Sequence, residues 1–337
     1  MTPDDRRQQP RICVYGAGAV GGHIAGRLAA SGAEVSLIAR GAQLHAIQQQ
    51  GLRVETTQGL LVSRPFATDR PTELTPQDLV LVTVKAPSLP TIAEGIASLL
   101  HHDSLVVFVG NGIPWWYFHG HGGSFEGTHL PRLDPDDALW NGVGPERTAG
   151  AVAYTACTVL APGVIRAENP SNRLIVGRPD RLPDARLDAL AGLLTPSGLE
   201  VTVTPDIRDA VWAKLLMNLI GGSLGILSAS PMKKVLDKPA IFATAEAMGR
   251  EGQAIAHALG CDPGDTAEGL ARLAKSGHLQ SIVQDLLAGR PMEIDALFRV
   301  PLDLAAMAGV RTPTLALVIE LATQRARAAG LYRDAGA

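Results

Sequence analysis

The sequence has few of the residues that several classes of protein depend on. Its three cysteines are odd in number and far apart, which excludes a disulfide framework or a cysteine metal cluster and fits a reducing cytoplasm. The formal net charge of -3 gives no electrostatic basis for binding nucleic acid or an anionic membrane. Aromatic residues make up only 4% of the chain. With its abundant glycine, this composition is typical of an α/β enzyme.

Long apolar stretches are also scarce. Residues 1–10 are polar and do not form the apolar core of a signal peptide, which predicts a loose tail. We expect no apolar run of transmembrane length. A chain of 337 residues is long enough for two domains with a sizeable core.

One stretch, from Arg11 to Arg40, organises the chain. An apolar run at 11–15 predicts a buried strand, and G-x-G-x-x-G follows at once over 16–21. A helix is predicted over 23–31 and a second strand over 34–38. A glycine motif between a strand and a helix predicts a nucleotide-binding βαβ unit, and the alternative is a glycine-rich structural turn.

The three motif glycines have separate roles in such a unit. Gly16 allows a tight turn, Gly18 lets the pyrophosphate approach the backbone, and Gly21 lets the helix pack closely on the sheet. The pyrophosphate then binds the N–H groups at the start of the helix. The candidate cofactor ligands in this loop are Gly16, Ala17, Gly18, Ala19, Val20 and Gly21.

The residue after the second strand indicates which dinucleotide binds. An NAD site usually has an acidic residue there for the ribose 2′-hydroxyl, whereas this chain has Ala39 and Arg40. Since an arginine pairs with a phosphate, Arg40 favours NADP(H) over NAD(H). The alternative for Arg40 is a solvated charge at a strand end.

Two further predicted strands end in polar residues on the side of the glycine loop. The run at 78–85 ends in Lys85, and the run at 105–109 is followed by Asn111. Ligands bind at the carboxyl edge of the sheet in such folds, so both side chains are candidates for the cofactor edge. Taken singly, each is more often a capping or turn residue.

An irregular segment over 113–145 contains four consecutive aromatic residues and His119, His121 and His129. The histidines do not have the spacing of a helical ligand pair and carboxylates are sparse nearby, which argues against a metal site. We expect a packed aromatic loop, a lid or a subunit contact.

The pattern changes from mixed to almost wholly helical at Pro205. Strands are predicted over 151–159, 163–176 and 200–204, with a helix over 182–198. We therefore place a domain boundary at Pro205, with a dinucleotide-binding domain over 1–205 and a helical domain over 206–337.

The helical part has two polar residues in an otherwise apolar first helix, predicted over 206–220. Lys214 and Asn218 are four residues apart and so share a face. They could be a charged donor and an amide that face a cleft. The alternative is a lysine whose ammonium reaches solvent, beside an asparagine whose amide is hydrogen-bonded within the protein. Farther on, Ser281 and Glu293 occupy ordinary positions in the first turns of two predicted helices.

The motifs that carry a family resemblance occur in one order along nearly the whole chain. They are the GAGAVGG loop, Arg40, Val84-Lys85-Ala86, Asn111-Gly112, Lys214 to Asn218, Ser281 to Asp285, and Arg290 to Leu297. In these motifs the chain resembles the ketopantoate reductases (2-dehydropantoate 2-reductases). The resemblance implies a Rossmann-type domain followed by an all-α domain, with the active site in the cleft between them. It also implies NADPH-dependent reduction of 2-dehydropantoate to pantoate in pantothenate biosynthesis, often by a homodimer.

The same resemblance implies roles for individual residues. Lys214 would donate the proton, and Glu293 would contact the nicotinamide-side ribose and influence Lys214. Asn218 and Ser281 would bind the substrate. The residues implied at the cofactor edge are Lys85 and Asn111, which also line the substrate site, and Ala156, which aligns with a cofactor-contacting alanine.

Four positions depart from the family pattern in the expected substrate pocket. Gly222 and Met232 stand where the family has asparagines, and Phe298-Arg299 replaces an Asn-Gly pair. Ketopantoate is the default substrate, but a larger or more apolar 2-oxo acid is a second hypothesis. The third hypothesis is a catalytically silent NADPH-binding protein, against which the retained Lys214 and Glu293 argue.

Overall fold

A computed structural model describes residues 10–333. The predicted loose tail falls almost entirely on residues 1–9, which lie outside the described part, as do residues 334–337. By its internal contacts the chain divides into two compact units. The first runs to Gly110 and also contains 115–129 and 134–207. The second contains 111–114, 130–133 and 208–337.

An eight-stranded sheet forms the centre of the first unit, in the order β12-β11-β8-β7-β6-β1-β2-β5. Neighbouring strands are parallel except for the antiparallel pair β8 and β11. Its strands are β1 (Ile12–Tyr15), β2 (Val35–Ile38), β5 (Phe66–Thr68), β6 (Gln77–Val82), β7 (Leu100–Val109), β8 (Thr148–Tyr154), β11 (Arg173–Gly177) and β12 (Glu200–Val203).

The strand β1 lies in the middle of this sheet. All four of its residues are buried, and it pairs in parallel with β2 on one side and β6 on the other. Burial on both faces explains why the strand reads as a continuous apolar run and does not alternate. The carboxyl ends of β1, β2 and β6 therefore meet at one edge, which is where the glycine loop begins.

A second, four-stranded sheet has the order β4-β3-β10-β9. The sequence predicts a hairpin or an extended excursion over 52–67, and β3 and β4 form the antiparallel hairpin. The strands β9 and β10 form another antiparallel pair. Its strands are β3 (Leu52–Thr56), β4 (Gly59–Ser63), β9 (Cys157–Ala161) and β10 (Val164–Ala167). This sheet packs closely on the helix after the glycine loop. Two glycines of this helix allow the close contact, because a β-carbon on Gly22 would crowd Ile165 and one on Gly26 would crowd Val54.

The helices of the first unit are short apart from α1. They are α1 (Ala19–Ala30), α2 (Gly41–Gln50), α3 (Ala93–Ala97), α4 (Ala138–Gly142) and α5 (Ala185–Leu194). The sequence also predicts a helix over 89–100, and the structure confirms its middle. Pro90–Ile92 form a 3₁₀ turn, α3 follows, and β7 already begins at Leu100. Because Leu100 pairs with Gln77 of β6, the chain is extended where the helix was expected to continue.

The aromatic segment is a packed loop, one of the alternatives predicted. Trp115, Trp116, Tyr117 and Phe118 are each at most 2% exposed. The ring of His129 lies 4.1 Å from that of Trp140, centroid to centroid, and His119 and His121 also contact aromatic rings. Contacts between aromatic rings and histidines of the same segment thus contribute to its packing.

The second unit is helical and contains α6 (Ile207–Ser228), α7 (Met232–Val235), α8 (Pro239–Ala258), α9 (Thr266–Lys275), α10 (Ser281–Leu287), α11 (Val300–Met307) and α12 (Pro313–Ala328). A π-helical stretch over Asp295–Arg299 leads into α11. The predicted class, an α/β domain followed by an all-α domain, is confirmed.

The helix α6 corrects one expectation from the sequence. Its 22 residues are long and apolar enough to cross a membrane by length and composition. However, 67% of its apolar window is buried inside the protein, which is also what the core helix of a helical bundle shows. Length and hydropathy alone do not separate these two cases.

Candidate active site

The glycine loop joins β1 to α1 in the conformation that a pyrophosphate site needs. Gly16 has a φ of +109°, a backbone conformation that favours glycine, and its N–H donates to the Ile38 carbonyl at 2.9 Å. A β-carbon on Gly21 would overlap the Gly16 carbonyl oxygen, so this helix turn requires glycine. Gly18 caps α1, and nothing lies within 4 Å of the position its β-carbon would take. A pyrophosphate can therefore approach the helix start.

Thr83 ties this loop to the neighbouring strand. Its Oγ1 donates to the carbonyl oxygen of Gly16 at 2.7 Å, directly after β6 ends. No local pattern singles out Thr83, because its partner is 67 residues away. The loop geometry thus depends on the residue that follows β6 as well as on the glycines.

A cavity of about 480 Å³ opens beside the glycine loop. It brings together the first part of the predicted loop and the predicted 2′-phosphate residue, Arg40. Its walls are otherwise mostly apolar. The lining residues are Tyr15, Gly16, Ala17, Gly18, Ile38, Ala39, Arg40, Gln43, Asp69, Val84, Ile92 and Val159. Asp69 and Gln43 are polar members that the sequence did not predict.

Gln43 connects two walls of this cavity. Its Nε2 donates to the Ala17 carbonyl at 2.7 Å, and its Oε1 accepts from the Gly163 N–H at 3.0 Å. Gly163 lies in the turn between β9 and β10, and Val159 on β9 lines the cavity. The amide of Gln43 therefore fixes this hairpin against the glycine loop.

The charged groups of this edge are exposed. Arg40 precedes α2, and its guanidinium makes no hydrogen bond or ion pair within residues 10–333. Burial raises the pKa of Tyr15, and the positive charge of Arg40 partly opposes the rise. Lys85 is exposed and follows Val84, which lines the cavity.

Seven predicted cofactor residues lie outside the cavity walls: Ala19, Val20, Gly21, Lys85, Asn111, Ala156 and Glu293. Ala19 and Val20 begin α1, while Ala156 lies between β8 and β9 and accepts a hydrogen bond from the Glu168 N–H at 2.8 Å. Their roles toward the cofactor stay predictions.

In the second unit, α6 presents Lys214 and Asn218 one turn apart, and both residues are half-buried. Burial around the ammonium group lowers the pKa of Lys214 from 10.5 to about 8, and the negative charge of Glu293 partly opposes this shift. Such a lysine holds a proton at neutral pH and can release it readily. The family resemblance implies that Glu293 influences Lys214, and a joint role of the two residues in catalysis stays a prediction.

Glu293 is only 7% exposed and lies two residues before the π-helical stretch begins at Asp295. The backbone around it is firmly held. Arg290 Nε donates to the buried Asp285 at 2.9 Å, and the hydroxyl of Tyr332 donates to Asp295 at 2.7 Å. Such π-helical turns are frequent at functional sites.

The predicted residue Asn111 is brought toward the same stretch. The segment 111–114 belongs to the second unit, and the Ile113 N–H donates to the Ala296 carbonyl at 2.9 Å. Gly112 has a φ of +82°, and a β-carbon there would overlap Ala296. Close packing on the π-helical stretch therefore requires glycine after Asn111.

The region one turn beyond Asn218 is apolar. A β-carbon on Gly222 would lie 3.1 Å from Cζ of Phe298 and 3.3 Å from Cγ2 of Ile282. Ser281, the first residue of α10, is exposed and lies next to Ile282. The side chains packed on α6 beyond Asn218 are thus apolar and buried: Phe298, Ile282 and Met232.

Comparison with known proteins identifies the relatives of this chain. The family model described as ketopantoate reductase PanE/ApbA matches residues 12–181, and the model of its C-terminal domain matches residues 206–326. A 2-dehydropantoate 2-reductase of Mesorhizobium japonicum is 38% identical over 328 residues, which cover 96% of this chain and 99% of that protein.

Solved structures agree with this match. A protein from Ralstonia solanacearum described as a putative ketopantoate reductase superposes with a TM-score of 0.90 and 34% identity, over 96% of this chain and all of the other. A D-mandelate dehydrogenase solved with NADH and anilino(oxo)acetate has a TM-score of 0.80 over 96% of this chain and all of the other. At 20% identity it shows a shared fold alone.

The two family models together span most of the chain, and the bacterial relative extends over nearly its full length. The chain is therefore an oxidoreductase that belongs to the ketopantoate reductase family.

Proposed function

We propose that this protein catalyses the NADPH-dependent reduction of 2-dehydropantoate to pantoate, with Lys214 as the proton donor. The observation that carries the proposal is the coupled pair of Lys214 and Glu293, in which burial lowers the pKa of the lysine to about 8. The relative from Mesorhizobium japonicum, named for this reaction, supports the choice of substrate.

Residues of the first unit would hold the dinucleotide. The N–H groups at the start of α1 favour a pyrophosphate because of the helix dipole, and Gly18 leaves room for it. Arg40 would pair with the 2′-phosphate, and Lys85 would contribute a second positive charge at this edge. The bound dinucleotide supplies a hydride to the carbonyl carbon of the substrate.

Residues of the second unit would carry the proton chemistry. As the C–H bond forms, the carbonyl π electrons move to oxygen, and the Lys214 ammonium stabilises that charge and transfers its proton to the oxygen. The product is a 2-hydroxy acid, and the neutral lysine takes a proton from solvent. Glu293 would keep Lys214 charged and contact a ribose hydroxyl.

The neighbouring polar groups would position the substrate. Asn218 follows Lys214 by one helical turn, so its amide can reach the same bound molecule. Ser281 begins α10 with an exposed hydroxyl, and Asn111 lies beside the π-helical stretch. These three residues offer hydrogen bonds to the carboxylate and carbonyl of a 2-oxo acid.

The direct test is steady-state oxidation of NADPH by the purified protein with ketopantoate. We expect a kcat/KM of roughly 10⁴ M⁻¹s⁻¹ or more, which is the ordinary range for an enzyme on its own substrate. Tight NADPH binding without turnover would reject ketopantoate as the substrate.

The proton donor is tested by Lys214→Met, which keeps most of the side-chain volume. Turnover should fall by orders of magnitude while NADPH binding stays within a few-fold of the wild-type value. Lys234→Met is the matched control, because Lys234 is an exposed lysine on α7. Unchanged turnover in Lys214→Met would remove this residue from the mechanism.

A second candidate substrate is a 2-oxo acid with an apolar side chain. The observation that favours it is the contact of Phe298 with Gly222, which replaces a polar side chain by a ring one turn beyond Asn218. Loss of a hydrogen bond to a substrate hydroxyl costs about 1–3 kcal/mol when its partner is buried. A panel of 2-oxo acids of matched size with and without a distal hydroxyl separates the two candidates.

We place the enzyme in a reducing cytoplasm, since Cys13, Cys157 and Cys261 form no disulfide within residues 10–333. A homodimer stays a prediction from the resemblance, which sedimentation equilibrium of the purified protein would test.

A further inference from the structure

An acidic residue lies next to the end of β2, on the neighbouring strand. The edge strand β5 pairs in parallel with β2, so that Ile38 is opposite Thr68. The Ala39 N–H donates to the Thr68 carbonyl at 3.0 Å, which continues the pairing beyond the end of β2. Asp69 follows Thr68 and therefore lies beside Ala39 at the carboxyl edge of the sheet.

Asp69 and Arg40 line the same cavity as the glycine loop. Both side chains are exposed, and within residues 10–333 neither forms a hydrogen bond or an ion pair. Their charged groups therefore do not neutralise each other by direct contact. The cavity offers a bound molecule one cationic and one anionic side chain.

The position of Asp69 is fixed by the turn that follows β5. Thr68 is buried, its Oγ1 donates to Glu73 at 2.6 Å, and the same oxygen accepts from the Arg70 N–H at 3.1 Å. With β2 on one side and this turn on the other, the backbone of Asp69 is held at the cavity wall. A solvated carboxylate on a mobile loop would not be held in this way.

We propose that Asp69 is a second determinant of cofactor choice and that the site binds NADH as well as NADPH. In many dinucleotide sites an acidic residue at the end of the second strand accepts hydrogen bonds from the ribose hydroxyls of NAD. Here Ala39 occupies that place and the carboxylate comes from the adjacent strand. The carboxylate of Asp69 accepts a hydrogen bond from the 2′-hydroxyl of NADH. It repels the 2′-phosphate of NADPH, whereas Arg40 attracts that phosphate. This inference rests on the proposed dinucleotide site.

The test is direct binding of NADH and NADPH, measured from nicotinamide fluorescence without any 2-oxo acid. For Asp69→Asn we expect the Kd for NADH to rise about tenfold, because a charge-assisted hydrogen bond is lost. The Kd for NADPH should fall several-fold. Removal of a negative charge by itself would strengthen the binding of both anionic dinucleotides. Weaker binding of NADH is therefore the diagnostic result.

Two further variants complete the design. Arg40→Ala should weaken NADPH binding far more than NADH binding. Glu34→Gln is the charge-matched control, because Glu34 is an exposed carboxylate at the opposite end of β2, outside the cavity. It should change both Kd values by less than about twofold.

The outcomes separate this inference from the proposed function. If the wild-type protein binds NADPH but not NADH, or if Asp69→Asn changes both Kd values by the same factor, the role of Asp69 is wrong and the dinucleotide site stands. If the wild-type protein binds neither dinucleotide, both proposals fail.

Discussion

The ring of Phe298 fills the space beside Gly222. A β-carbon at residue 222 would lie 3.1 Å from Cζ of Phe298, and Phe298 itself is completely buried. The sequence suggested that Gly222, Met232 and Phe298 make room for a larger or more apolar substrate. Because the buried ring of Phe298 occupies the space that glycine leaves, the structure shows apolar packing there and not a larger pocket.

The contact between Gly222 and Phe298 makes a prediction about stability. Gly222→Asn should lower the free energy of unfolding by about 1–3 kcal/mol, because the new side chain overpacks a filled site. Gly192→Asn is the control, since a β-carbon at this helical glycine of α5 meets no atom within 4 Å. Urea denaturation of both variants measures the difference.

A second substitution tests whether the ring causes the loss. Phe298→Leu should destabilise the wild-type protein but recover stability in the Gly222→Asn background, with a coupling free energy of about 0.5–3 kcal/mol for residues in contact. Additive losses in the double variant would contradict direct packing between residues 222 and 298.

The parts of the fold that the sequence predicted correctly are those encoded by neighbouring residues. The apolar run of β1, the glycine motif and the spacing of Lys214 and Asn218 all lie within a few helical turns or one strand. The helix predicted over 89–100 is confirmed only over 90–97, because Leu100 already pairs with Gln77 of β6, a partner that local spacing does not encode.

The missed site residues share a different property. Thr83 and Gln43 bind partners far along the chain, as when Gln43 meets Gly163 across 120 residues, and Asp69 lines the cavity next to the end of β2. No local pattern encodes such contacts, because the sheet order that creates them is set by the packing of the whole unit. The same holds for Phe298 beside Gly222.

The pKa of Lys214 predicts how activity varies with pH. Reduction requires the protonated lysine, so kcat for reduction should fall as pH rises through about 8, where Lys214 loses its proton. Oxidation of the 2-hydroxy acid requires the neutral lysine and should rise over the same range. Stopped-flow measurements from pH 6 to pH 10 would show the fall in the rate of reduction and the rise in the rate of oxidation. A flat profile for the hydride-transfer step would contradict proton donation by Lys214.

The same pKa predicts a change in stability that does not depend on the substrate. The pKa is about 8 in the folded protein and 10.5 for an ordinary lysine, so between these values the unfolded chain binds more protons. The contribution of Lys214 to stability therefore rises with pH across this window. Relative to Lys214→Met, the wild-type protein should gain stability from pH 8 to pH 10.5. Lys234→Met should show no such trend, because Lys234 is exposed.

The last prediction concerns Gln43, whose amide joins the Ala17 carbonyl to the Gly163 N–H. Gln43→Ala removes both hydrogen bonds and should raise the Kd for the dinucleotide by about tenfold, since each bond is worth about 0.5–1.5 kcal/mol. The kcat at saturating cofactor should change little. Gln43→Glu keeps the acceptor for Gly163 but turns a carboxylate oxygen toward the Ala17 carbonyl, so it should not restore binding.

The control for Gln43 lies on the same helix. The Nε2 of Gln48 donates to the Ala67 carbonyl at 2.9 Å, and Gln48 does not line the cavity. Gln48→Ala should therefore lose a comparable amount of stability while binding the dinucleotide as the wild-type protein does. If both variants weaken cofactor binding in proportion to their loss of stability, Gln43 is only a structural link. If Gln43→Ala alone weakens binding, its amide sets the position of the glycine loop against the β9–β10 turn.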